Sequence, residues 1–282
     1  MLKKVIVYSC AAFLISCGSN TSDNSSVSET GKDNAQKDAP AQPENELADF
    51  KFHTLVINIP SPFEMITLSV KSGIPYKDGL VNSSSNESKY ITSTKRGINY
   101  GLYIVDLAYL SNYEHFSEVK NYFKTTQELA QNLGFAESFD RIVGPRVEKN
   151  IDKKDTVNKV IDLVYIEMDK YLRSNDRLLT ATQILVGSWI ESQYIAVSLV
   201  KDATKNNNNK ILFEKLQEQS FTSSKLVELL KEYEKEKDFK TTIDGVKELD
   251  KLFSSAQGKD LDKETLQKIY AKLTEVRSNI VN

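Results

Sequence analysis

Along most of the chain, apolar residues recur at the three- and four-residue spacing of a helix buried on one side. Residues 155–173 show the pattern, with Val157, Val160, Ile161, Val164 and Met168 on one face. Leu226, Leu229, Leu230 and Tyr233 form another such stripe, and Leu266, Ile269, Tyr270, Leu273 and Val276 a third. Between the stripes stand ordinary helix stops and starts. Ser61-Pro62-Phe63-Glu64 reads as a capping box with Pro at the first helical position, and Gly73 and Gly134 follow helix ends. The pattern predicts helices over residues 61–73, 88–112, 116–133, 136–150 (kinked near Gly144-Pro145), 155–173, 176–202, 211–219, 223–237, 239–255 and 262–279. Phe50-Lys51-Phe52 and Leu55-Val56-Ile57-Asn58-Ile59 are β-prone and have no later partner strand, so an extended segment packed on the helical body is expected there. The fold class is therefore all-α, a bundle or array of antiparallel helices with a short extended N-terminal segment. No fixed-length repeat stands out.

Two predicted helices depart from the one-sided pattern. Residues 97–110 are apolar on most faces, yet carry Asn99, Tyr103 and Asp106 at i, i+4 and i+7. Gly97 and Gly101 in the same helix would let another backbone come close. Residues 183–200 are also apolar nearly all round and carry Gln183, Gly187, Trp189, Glu191 and Tyr194. A helix apolar on all sides belongs in the centre of the fold. A buried acid there must be paired, hydrogen-bonded or protonated. If the two helices face each other, Asn99, Tyr103, Asp106, Gln183, Trp189, Glu191 and Tyr194 form a polar pocket or a buried network. Paired carboxylates can perform general acid–base work, as in sugar hydrolysis. The same groups can instead satisfy one another and fix a unique packing. The second reading is the stronger one, with Arg96, Arg141 or Arg146 as partners for the acids, and no catalytic residue is assigned.

The start of the chain follows different rules. Lys3 and Lys4 precede an apolar core over residues 5–15, about eleven residues against the roughly 20 that a membrane-spanning helix needs. That order fits an export signal over residues 1–16. Residues 18–49 are Ser, Asn, Asp, Glu, Lys, Gln and Ala with Pro40 and Pro43, and contain no aromatic residue. Such a segment cannot bury enough surface to offset chain entropy and is expected to be a disordered linker, with an r.m.s. reach of roughly 30 Å. Residues 50–203 then form a helical core domain, and residues 204–282 a more charged, peripheral subdomain of the same body.

Composition narrows the chemistry. Net charge is −2, and −4 once Lys3 and Lys4 leave with the signal. That argues against a nucleic-acid partner. Of the two Cys, Cys10 lies in the signal, so Cys17 is the sole mature thiol and no disulfide is expected. His53 and His115 stand in no metal-binding spacing, and no phosphate loop, nucleophile elbow or dinucleotide fingerprint occurs. No metal or cofactor is expected.

Leu14-Ile15-Ser16-Cys17 resembles the lipobox of bacterial lipoproteins. The resemblance implies cleavage before Cys17 and acylation of its sulfur, with palmitate-type chains, and anchoring through two or more chains is stable. Gly18 in place of an acidic residue implies the outer membrane, on its periplasmic side. Ile59-Pro60-Ser61-Pro62, Gly73-Ile74-Pro75-Tyr76, the Asn99–Leu107 run and Gly187-Ser188-Trp189-Ile190-Glu191 resemble a group of uncharacterised Bacteroidota lipoproteins. That resemblance implies an all-helical exported domain and supplies no activity. The expectation is a lipid-anchored envelope protein, a non-catalytic binding or scaffold module with an envelope protein or small ligand as partner. The alternative is a ligand-binding or hydrolytic domain using Asp106 and Glu191.

Overall fold

A computed structural model describes residues 43–57, 59–147, 150 and 152–282, which hold ten α-helices, two 3-10 helices and no strand. The fold is an all-α helical array. The expected signal, Cys17 and the linker as far as residue 42 lie outside the described residues.

The first helix, α1 (Pro43–Val56), corrects two expectations. Its first half, residues 43–49, takes in residues assigned to the linker, and its second half, residues 50–56, takes in most of the segment expected to be extended. Pro43 suits the first helical position. Phe52, Leu55 and Val56 share a helical stripe, and Phe52 is buried where α1 packs on α8. Tertiary burial overrides the β propensity of the same residues.

The short α2 (Glu64–Lys71) begins later than the capping-box reading places it. The Ser61 hydroxyl accepts from the Phe63 N–H at 3.3 Å instead of reaching Glu64. Gly73, at φ +68°, ends the segment in the left-handed region that glycine tolerates. A 3-10 helix (Ser84–Lys89) and the long α3 (Ser93–Asn112) replace the single helix expected over residues 88–112. The break has a clear cause. Thr92 caps α3 by accepting from the Lys95 N–H at 3.1 Å, and the Arg96 Nε–H donates to the Tyr90 carbonyl at 2.8 Å.

Next come α4 (Phe116–Asn132), α5 (Ala136–Val147), α6 (Lys154–Ser174) and α7 (Leu178–Val200). The α6 face is buried at Val157, Val160, Ile161, Val164, Met168 and Leu172. Each such side chain contributes about 1.5–3 kcal/mol on leaving water. One unbroken α8 (Lys210–Leu230) with a 3-10 turn (Lys231–Tyr233) stands where two helices were expected. The Ser/Thr cluster between them does not break the helix, because Ser220 and Ser223 donate to carbonyls three residues back. Ser223 and Ser224 also donate to the Asp250 carboxylate at 2.7 and 2.8 Å. α9 (Lys240–Ser255) and α10 (Lys263–Val281) complete the body, with Asp262 capping α10 through the Thr265 N–H at 2.7 Å.

α3 and α7 form the centre and pack on each other. α4 and α6 pack on α3, and α5 lies against α4 and α6. α9 packs on α8 and α10, while α10 also packs on α7 and α3, so the charged C-terminal part reaches the middle of the fold. The α3–α7 crossing is a backbone contact. A Cβ on Gly101 would stand 2.0 Å from the Ile184 carbonyl oxygen, and one on Gly187 would stand 1.9 Å from that of Ile98. The Ser188 hydroxyl donates across the same crossing to the Gly101 carbonyl at 3.1 Å.

Candidate functional site

Asp106 on α3 and Glu191 on α7 are both 0% exposed. They meet, and the cation that joins them comes from α10. Arg277 clasps Glu191 with two hydrogen bonds, Nε to Oε2 at 2.6 Å and Nη2 to Oε1 at 2.8 Å. The second nitrogen also donates to the Leu80 carbonyl at 3.0 Å. Two parallel bonds between a planar guanidinium and a carboxylate are the strong form of this pair. The guanidinium lies over the Tyr194 ring, 4.4 Å from its centroid, and Tyr194 stacks on Tyr270 at 5.8 Å. Burial, only partly offset by Arg277, pushes the Tyr194 hydroxyl up to about 12.

Asp106 is left without a cation of its own. Its Oδ2 accepts from the Asn82 N–H at 3.0 Å, while Oδ1 is buried without a partner. Burial pushes its carboxyl well above the usual carboxylate range, and the Glu191 charge pushes it further. Arg277 and the Asn82 N–H pull the other way and are the smaller influences. In its protonated form Asp106 is a donor, and the neighbouring Glu191 carboxylate favours that form. The cluster is then a neutral acid, a carboxylate and a guanidinium, with no net charge in the interior.

The rest of the polar stripe on α3 faces a different element from the one expected. It holds the segment between α2 and α3. The Tyr103 hydroxyl donates to the Ser83 carbonyl at 2.7 Å, and Tyr122 from α4 donates to the Asn82 carbonyl at 2.6 Å. Tyr109 accepts from the Lys77 N–H at 2.9 Å and donates to the Lys77 carbonyl at 3.1 Å. The Asn82 side chain donates to Tyr90 Oη at 2.8 Å. Asn99 donates at 3.0 Å to the carbonyl of Ile280, at the end of α10. A segment without α-helix or strand thereby has its backbone groups satisfied by buried side chains.

Of the residues singled out in the sequence, Asp106, Glu191 and Tyr194 converge on Arg277, Tyr103 borders Asp106, and Asn99 holds the end of α10 instead. Two do not join. Gln183 donates to Thr94 Oγ1 at 3.1 Å beside Gly97, and Trp189 donates to Gln219 Oε1 at 3.0 Å while its ring packs edge-on against Phe253. The arginines expected as partners are elsewhere: Arg96 serves the α3 start and Arg141 pairs with Glu167 at 3.5 Å. Arg146 lies outside the described side chains. Arg277, Asn82 and Tyr122 were missed. Arg277 had a usable signal, being one of only six arginines and lying seven residues after Tyr270 on the apolar stripe of α10. Asn82 sits in an aperiodic polar run, where no pattern distinguishes it.

Both carboxyl groups are closed to solvent, and their surroundings favour the protonated form of Asp106 beside the Arg277-bound Glu191. Among the described residues, no group of three His, Cys, Asp or Glu could hold a metal ion, and no helix is long and apolar enough to cross a membrane. No protein-family model matches the chain, and no curated protein or solved structure matches it.

Proposed function

We propose that the chain is a lipid-anchored protein of the cell envelope whose helical body is a non-catalytic binding or scaffold module. The observation that carries the non-catalytic part is the closure of the acidic pair. Asp106 and Glu191 have no exposed surface, and Arg277 already occupies the carboxylate that a substrate would have to reach. General acid–base catalysis needs the acid within hydrogen-bonding reach of the substrate, directly or through one water. The anchor rests on Leu14-Ile15-Ser16-Cys17 and on the polar stretch behind it.

Cys17→Ala tests the anchor. The variant should lose labelling by a radioactive fatty acid and move from the membrane fraction to the soluble fraction. Unchanged fractionation and labelling would overturn it. Asp106→Asn tests the non-catalytic part. Cells carrying it in place of the natural chain should match the parent in envelope integrity at equal protein abundance. A defect at unchanged abundance would restore the carboxylates as working groups.

A further inference from the structure

A second feature lies away from the buried acids. α1 and the C-terminal end of α8 enclose a cleft of about 490 Å³, within the range of small-molecule sites. Its floor is apolar: Phe52 and Leu229 are buried, and the Tyr233 ring is half-buried beside them. Its rim is charged with both signs. Glu228, Lys231 and Glu232 stand at i, i+3 and i+4, on one side of α8 and the following 3-10 turn. Lys51 faces them from α1 and reaches Glu232 at 3.1 Å. Among the described residues, Glu228 and Lys231 have no ion-pair partner.

We propose that this cleft binds a single zwitterionic amphiphile. Its apolar chain lies on the Phe52–Leu229–Tyr233 floor, and its head sets a cation against Glu228 and an anion against Lys231. The charge pattern selects this class. Lys51 and Glu232 already neutralise each other, so an anionic head would meet the Glu228 charge, a cationic head would meet that of Lys231, and an uncharged head would gain from neither. The two unpaired charges lie within one helical turn, so the ligand's charges must be adjacent. That describes the amine and phosphate of an ethanolamine phospholipid. A peptide, whose termini flank its side chains, does not fit. The envelope location proposed above would supply such lipids, and the inference rests on that reading only for the source of the ligand.

Calorimetric titration of the full chain with three single-chain amphiphiles of equal acyl length, each below its micelle concentration, tests the proposal. Lysophosphatidylethanolamine should saturate at one per chain and bind at least tenfold more tightly than lysophosphatidylglycerol or an alkyl glucoside. Lys231→Glu should weaken the zwitterion tenfold or more with an unchanged circular dichroism spectrum, since the side chain is exposed. The paired swap Glu228→Lys with Lys231→Glu should restore binding. Cys17→Ala should bind like the parent, so failure of the anchor and failure of the cleft are read separately. Equal affinity for the three amphiphiles, no saturation by the zwitterion, or indifference to Lys231→Glu would each overturn the proposal.

Discussion

Removing Arg277 should damage this protein out of proportion to the one side chain lost. The Arg277→Met change deletes two charge-assisted bonds to Glu191 and one bond to the Leu80 carbonyl. The Glu191 side chain is 0% exposed and that of Arg277 is 13% exposed, so water cannot take over the orphaned carboxylate. Breaking a buried ion pair on one side costs about 3–5 kcal/mol, against a typical domain stability of about 5–15 kcal/mol. Arg277→Met should therefore lower the urea midpoint severely. Glu191→Gln alone should also cost stability, because it leaves the guanidinium buried opposite a neutral amide.

The double variant decides the interpretation. With both changes the interior holds no unpaired charge, and much of the loss should return. A double-mutant cycle at pH 7, followed by far-ultraviolet circular dichroism in urea, should give a coupling energy of about 2 kcal/mol or more. As a control, Lys124→Ala should leave the midpoint almost unmoved, since Lys124 and Glu128 form an exposed pair. Additive losses, with coupling below about 0.5 kcal/mol, would refute the claim that Arg277 acts by neutralising Glu191.

The other predictions address the surroundings of that pair. Asp106 has a folded-state pKa above its unfolded value, so the proton it holds favours the fold at low pH, and this contribution is lost as pH rises through the folded value. Asp106→Asn keeps an acceptor for Asn82 and a donor for Glu191, so it should raise the melting temperature at pH 8 more than at pH 4; the reverse order would contradict a protonated Asp106. Gly101→Ala and Gly187→Ala force a Cβ into backbone and should each cost about 3 kcal/mol or more, while Gly97→Ala meets the movable Gln183 side chain at 2.9 Å and should cost clearly less by thermal melting. Gln219→Ala removes the acceptor of the buried Trp189 N–H and should cost about 1–3 kcal/mol, read from the fluorescence of the single tryptophan during unfolding.

Central positions in this fold were legible because burial on all sides leaves a direct imprint on composition. Residues 97–110 and 183–200 lack a polar face, and both are the innermost helices. The glycines at 101 and 187 mark the crossing for the same reason: only a missing side chain admits a neighbouring carbonyl. Partners were not legible. Arg277 meets Glu191 across 86 residues, and periodicity along one helix carries no information about which other helix lies opposite. Local propensity failed where long-range burial opposed it, in α1 at Phe52 and in α8 at Ser223.

The polar core answers a problem that the apolar core creates. Two helices that are apolar all round are held at their crossing by the glycines, while the dispersion contacts elsewhere along them are individually small and separate neighbouring registers poorly. Directional groups separate those registers. Ser188 can donate to the Gly101 carbonyl only in this one, and Glu191 meets Arg277 only when α10 is seated. Seating α10 also brings the Ile280 carbonyl to Asn99 and closes Leu80 under the guanidinium. A shift of α10 by one turn would strand Glu191, Asn99 and the Leu80 carbonyl together, each at the cost of an unpaired buried group. The acidic pair is thus the point at which the middle of the chain is tied to its last helix, and that tie requires the pair to be inaccessible.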